Sequence, residues 1–149
     1  MPGYKGHIAG ALGATSAALG GAWWFGLYRP GPRTVLTLAV LAVLGALFPD
    51  VDTSSKGRRL YYGAAALADA ALIVVKQYKM AAILGFCAIL PAVGAHRGWT
   101  HTWWAGIVVP SAALLGAVTF LDVSWQSLMP YYLAVVLGYY SHLVLDGTF

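Results

Sequence analysis

Charge is what this chain has least of. Of its 149 residues, 9% are charged and 60% are hydrophobic. A soluble domain carries about 25% charged residues. So few cannot clothe a soluble core in polar surface, which makes a lipid bilayer the natural solvent. Cysteine is almost absent too. Cys87 stands alone inside an apolar run, which excludes an intrachain disulfide and leaves the redox compartment unmarked. The alternation of barrel strands is missing, and an open sheet in lipid would leave backbone groups unpaired. There is no low-complexity tail, no long linker and no convincing repeat. The formal charge of +4 rests on nine Lys and Arg. They fall between apolar runs and read as interfacial anchors, so no direct nucleic-acid binding is expected.

What remains is helix. A membrane span needs about 20 mainly apolar residues. Six candidates follow one another: Ile8 to Tyr28, Thr34 to Phe48, Leu60 to Val75, Met80 to Ala95, Thr102 to Leu121, and about Pro130 to Leu145. Several are short and require a locally thin bilayer or extension into the interface. The first is read as a retained span and not as a signal peptide, because it lacks a strongly basic start and five more apolar runs follow. The expectation is an all-α integral membrane protein, a compact bundle of about six transmembrane helices forming one domain over residues 1–149. Gly6, Gly10, Ala14 and Ala18 recur every four positions, and so do Gly13, Ala17 and Gly21. Both stripes predict close helix packing.

Threading six spans alternately through the membrane sorts the polar residues. One side receives Lys5 and His7, the loop with Asp50, Asp52, Lys56, Arg58 and Arg59, the loop with His96, Arg97 and His101, and the end of the sixth span with His142 and Asp146. The other side receives Arg29, Arg33, Lys76, Lys79 and Asp122, and no histidine. Asp69 alone falls near the middle of a span, as a structural or proton-handling candidate. The cations divide five to four and assign no orientation.

Each motif has two readings. His142 and Asp146 lie one helical turn apart on one face, with Tyr139 in the same stripe. They form either a metal platform or a structural hydrogen-bonded pair. Asp50 and Asp52 offer two hard oxygen ligands, or a solvated loop with Asp52 and Thr53 as caps. His96-Arg97-Gly98-Trp99-Thr100-His101 is the most distinctive stretch. Two histidines bracket a guanidinium suited to phosphate or carboxylate. Gly98 allows a turn, and Thr100 can cap the next helix. Trp99, Trp103 and Trp104 read as a membrane belt. No serine or cysteine nucleophile stands out.

The ordered set resembles the YdjM family of inner-membrane-associated, metal-dependent hydrolases. The matching segments are His7 before a Gly/Ala-rich span, Leu47-Phe48-Pro49-Asp50-Val51-Asp52, His96 through Thr102, and Ser141-His142-Leu143-Val144-Leu145-Asp146. That family looks distantly similar to zinc-dependent phospholipases C and related nucleases. The resemblance implies a prokaryotic inner-membrane location and phosphoester hydrolysis through a metal-activated water, on an anionic lipid or another lipid phosphoester. It implies a divalent metal, zinc foremost. His7, Asp50, Asp52, His96, His101, His142 and Asp146 are the expected ligands. They outnumber the three protein ligands of a single catalytic zinc and suit two ions. Arg97 is the expected catalytic residue, holding a non-bridging phosphate oxygen. Little chain follows Asp146, so ligands that soluble relatives place later are not expected. A metal or ion transporter would want ligands along a path near the midplane. A non-catalytic scaffold would close its metal with a full set of ligands.

Overall fold

A computed structural model describes residues 3–52, 56–90 and 99–147. Six α-helices run through them: α1 (Tyr4–Trp24), α2 (Pro32–Leu47), α3 (Lys56–Val74), α4 (Tyr78–Ile89), α5 (Ala105–Leu121) and α6 (Trp125–Asp146). Two single 3-10 turns join them, Pro49–Asp52 after α2 and Trp99–His101 before α5. No strand occurs among the described residues.

The helix ends follow local chemistry. Pro32 sits in the first turn of α2, where its missing N–H has no intrahelical partner to lose. Lys76 and Asp122 take left-handed backbone angles just beyond α3 and α5. Gly147 does the same after α6 and returns its N–H to the carbonyls of Leu143 and Val144, a cap that glycine makes without steric penalty. Several boundaries differ from the sequence reading: α1 runs Tyr4–Trp24 and α3 starts at Lys56, each about four residues earlier than expected. α6 starts at Trp125 and carries Pro130 inside it; so near the start, proline deletes only one helical hydrogen bond. α5 starts at Ala105, after Trp104 at its N-cap, and no side chain caps it. Thr100 does not cap that helix. Instead the Thr102 hydroxyl donates to the Trp99 carbonyl at 2.6 Å and closes the preceding turn.

α6 is the central element, packing on α2, α1 and α5, while α4 packs on α3 and α5. The tightest approach is between α2 and α6. A side chain at Gly45 would strike the Val135 backbone, and one at Gly138 would strike the Ala42 backbone. This corrects the expectation for α1. Gly10 does pack against Leu145, but Gly13 and Gly21 have nothing within 4 Å. The closest backbone approach therefore rests on Gly45 and Gly138, near the buried small pairs Ala42/Ala46 and Ala134/Gly138.

The outward surface is apolar on every helix. Trp23, Leu36, Leu67, Phe86, Leu115 and Leu133 are all exposed. α6, at 22 residues, is long and apolar enough to cross a membrane, and α2, α4 and α5 are shorter apolar helices. α3 carries Lys56, Arg58, Arg59 and Asp69, which lowers its hydropathy.

Candidate metal centre

Four segments far apart in sequence meet at one end of the bundle. α1 brings His7 in its first turn. The Pro49–Asp52 turn brings Asp50, and the Trp99–His101 turn brings His101. The last turn of α6 brings His142 and Asp146. One ligand atom each from Asp50, His101, His142 and Asp146 lies within 4.8 Å of the others. His142 Nε2 is 3.3 Å from Asp146 Oδ2 and 3.9 Å from Asp50 Oδ1, and His101 Nε2 is 3.8 Å from Asp50 Oδ1. Four ligands set tetrahedrally about an ion at about 2.1 Å stand about 3.4 Å apart. Three of the spacings lie within about 0.5 Å of that, and none exceeds 4.8 Å, so the widest would have to close by up to about 1.4 Å.

The protonation pattern argues for a cation more strongly than the spacing does. His142 Nδ1 lies 2.7 Å from the Ala46 carbonyl. A carbonyl only accepts, so Nδ1 carries the hydrogen and donates it. In the neutral ring the lone pair is then on Nε2, which faces two carboxylates. Among the described residues His142 Nε2, Asp146 Oδ1 and His7 Nδ1 are buried with no hydrogen-bond partner, although Nε2 of His142 and Oδ1 of Asp146 have ionisable neighbours at 3.3 and 3.4 Å. A buried unsatisfied polar atom costs about 1–3 kcal/mol. A cation among these atoms would satisfy the ring nitrogen and the carboxylates together. A ring whose other N–H is given to a backbone carbonyl is the usual arrangement of a metal-bound histidine.

His7 extends the cluster on the far side of Asp146. Its ring stacks on His142, with centroids 3.9 Å apart. His7 Nε2 lies 3.4 Å from Asp146 Oδ1. Asp146 thus turns one oxygen to His142 and the other to His7, the disposition of a carboxylate able to bridge two ions.

The centre has a floor and a rim. The side chains of His7, His142 and Asp146 are 2%, 0% and 5% exposed, whereas those of Asp50 and His101 are 23% and 21% exposed. Water and solutes therefore reach it past Asp50 and His101. The neighbouring His101 ring holds the Asp50 carboxyl below the ordinary carboxylate range, chiefly by hydrogen bonding. Burial opposes this, while charge on His142, His7 and His101 adds to the lowering.

The rim is fastened from α6. The Tyr139 hydroxyl lies 2.7 Å from the Thr100 carbonyl and 2.8 Å from the Thr102 carbonyl, donating to this pair across His101. Tyr140 donates to the Trp103 carbonyl at 2.8 Å. Trp99 packs edge-on against Phe48 at 6.1 Å, so it joins the core as well as the surface, while Trp103 is exposed. The sequence places Tyr139 in the stripe of His142 and Asp146 but does not show what its hydroxyl holds. Tyr140 carries no sequence signal of this role.

Of the expected site residues, Asp50, His101, His142 and Asp146 come together and His7 adjoins them. His96 and Arg97 lie outside the described residues. Asp52 has its backbone in the Pro49–Asp52 turn, and its side chain lies outside them. Asp69 is on α3, away from the cluster, with Oδ1 buried and lacking a hydrogen-bond partner.

An all-helical bundle with apolar outer faces, joining histidines and aspartates at one end, is the class of molecule these observations define: a membrane protein with a polar centre. The chain belongs to the YdjM inner membrane protein family, whose model matches residues 5–148. No curated protein and no solved structure matches it.

Proposed function

We propose that the protein is a metal-dependent hydrolase of the inner membrane, acting on a lipid phosphoester at the membrane interface. The observation that carries this reading is the buried, unpartnered Nε2 of His142, aimed at two carboxylates. The apolar residues facing outward on every helix support placing all six helices in the bilayer.

In this reading Asp50, His101, His142 and Asp146 hold one divalent cation, and His7 with the second oxygen of Asp146 begins a site for another. Such a cation supplies Lewis acidity to a phosphoryl oxygen and acidifies the attacking water. The chain's own residues do the rest. His142, oriented by the Ala46 carbonyl, keeps its Nε2 lone pair toward the centre. Asp146 lies between the imidazoles of His142 and His7. Asp50, ionised and partly exposed, receives the approaching water. Lys56, Arg58 and Arg59 open α3 beside the Asp50 turn and draw an anionic headgroup to the rim. The sequence puts Arg97 between two histidines, where a guanidinium would bind a phosphate oxygen in two-point fashion.

The test is metal analysis of the purified full chain, with a screen of lipid phosphoesters. Zinc or another divalent ion should copurify at one or two per chain, and chelation should abolish turnover. A protein that binds no divalent ion at neutral pH would overturn the reading.

A further inference from the structure

Beneath the His/Asp centre runs a cleft of about 370 Å³ between α2, α3, α4, α5 and α6. That is within the roughly 300–1,000 Å³ typical of small-ligand sites. Its lining includes Leu121 and Leu128 at the far end and Phe48 and Tyr139 at the near end. No lining residue is charged, and the polar side-chain atoms are tyrosine hydroxyls and the Cys87 thiol. From Leu128 to Tyr139 the cleft follows about 16 Å of the α6 axis. A flexible hydrocarbon chain, which has no polar group to satisfy, matches such walls.

The near end of the cleft is formed by residues of the same segments that carry the polar centre. Phe48 precedes Asp50 by two residues, and Tyr139 is one helical turn before His142. Where the apolar walls end, two carboxylates, three imidazoles and the basic start of α3 begin. We infer that the cleft holds one acyl chain of a lipid whose anionic phosphate headgroup lies at the His/Asp centre. The tail makes no polar demand on the walls, and the headgroup meets cationic Lys56, Arg58 and Arg59 together with any bound metal. This rests on the proposed hydrolase reading for its headgroup chemistry. The cleft would select substrate by tail length, since each buried methylene contributes about 0.8 kcal/mol.

The experiment uses the full chain, zinc-loaded, in phosphatidylcholine nanodiscs, with a phosphatidic acid bearing a photoreactive diazirine at mid-chain. Cross-links should map to Leu44, Val109 and Ala113 inside the cleft. Ala113→Trp should reduce them at least tenfold, about the effect of excluding two methylenes, while bound zinc and helix content stay unchanged. Val109→Phe serves as a second obstruction should the tryptophan variant fail to fold. Chelation should also reduce cleft labelling by releasing the headgroup. Labelling confined to outward residues such as Leu67, Leu115 and Leu133 would overturn the inference. So would cleft labelling that ignores both obstruction and chelation, which marks an ordinary boundary lipid. Chelator-sensitive labelling without any phosphoester turnover would uphold the bound tail and sink the hydrolase reading, so the two fail separately.

Discussion

Tyr139→Phe removes one hydroxyl and keeps the ring. The ring still packs against Gly106 and Phe48, so no cavity opens. What is lost is the donor shared by the Thr100 and Thr102 carbonyls, at 2.7 and 2.8 Å, from a residue only 2% exposed. Leaving a buried acceptor unpaired costs about 1–3 kcal/mol. That cost falls on the turn carrying His101, one of the two rim ligands. At about 1.4 kcal/mol per tenfold, metal affinity should weaken by roughly 10- to 100-fold, the range for loss of a group that orients a ligand. Competition against a chromophoric zinc chelator measures this directly. Tyr140→Phe is the comparison: its bond reaches Trp103, beyond His101, and affinity should change by about twofold, as for an exposed hydrogen bond of about 0.5 kcal/mol. In a His101→Ala background, Tyr139→Phe should add little, because the ligand it positions is gone. Unchanged affinity in Tyr139→Phe, or an undiminished effect without His101, would refute the argument that α6 sets the rim.

Asp50→Asn should lose bound metal and keep its helix content. Metal analysis beside circular dichroism checks this, and full occupancy would remove Asp50 from the ligand set. Gly138→Ala drives a methyl group into the Ala42 backbone and should lower stability by roughly 1–3 kcal/mol, read as a lower thermal midpoint in detergent; an unchanged midpoint would mean α2 and α6 do not meet there. On acidification the Asp50 carboxyl, held below its ordinary range, stays ionised while protons compete for the imidazoles. Metal retention should therefore be full near neutrality and fall between about pH 7 and 5, and a loss appearing only below about pH 4 would assign it to carboxylates instead. Arg97→Lys should retain fold and metal but lose about 10²-fold in kcat on a phosphoester, since Lys keeps charge without the planar two-donor fork; wild-type turnover would leave Arg97 an interfacial anchor.

Much of this site was legible because histidine and aspartate are scarce in an apolar chain. Six spans, threaded alternately, bring the start of the first helix and the end of the last to one side. The structure does place His7 against His142. The i, i+4 spacing of His142 and Asp146 sets both on one face of any helix, whatever surrounds it. Fine geometry was not legible. Nothing in the sequence says that Ala46 offers its carbonyl to His142, because that bond depends on the depth at which α2 packs on α6. That depth is set by Gly45 and Gly138; Gly138 and Ala134 form a single pair four residues apart, less conspicuous than the stripe through Gly13 and Gly21, which faces outward. The start of α5 was misplaced for a related reason. Propensity alone does not reveal that Thr102 closes a turn onto Trp99 or that Tyr139 holds two carbonyls of that stretch.

The same geometry fits the proposed hydrolase better than a transporter. A carried ion needs polar partners along its path, because stripping its hydration in a low-dielectric interior costs several kcal/mol even after relaxation. The centre sits where helix ends and single turns meet. The space leading away from it into the bundle is walled by leucine, valine, alanine and aromatic rings. Asp69, the acidic residue within α3, is not among the residues that line this space. An ion moving inward from Asp146 would therefore exchange carboxylates and imidazoles for hydrocarbon, with no ligand to receive it. A hydrocarbon tail would face the opposite balance, gaining from each methylene it removes from water. A polar end that can hold a cation, beside an apolar space that repels one, favours a molecule bearing both characters over a bare ion in transit.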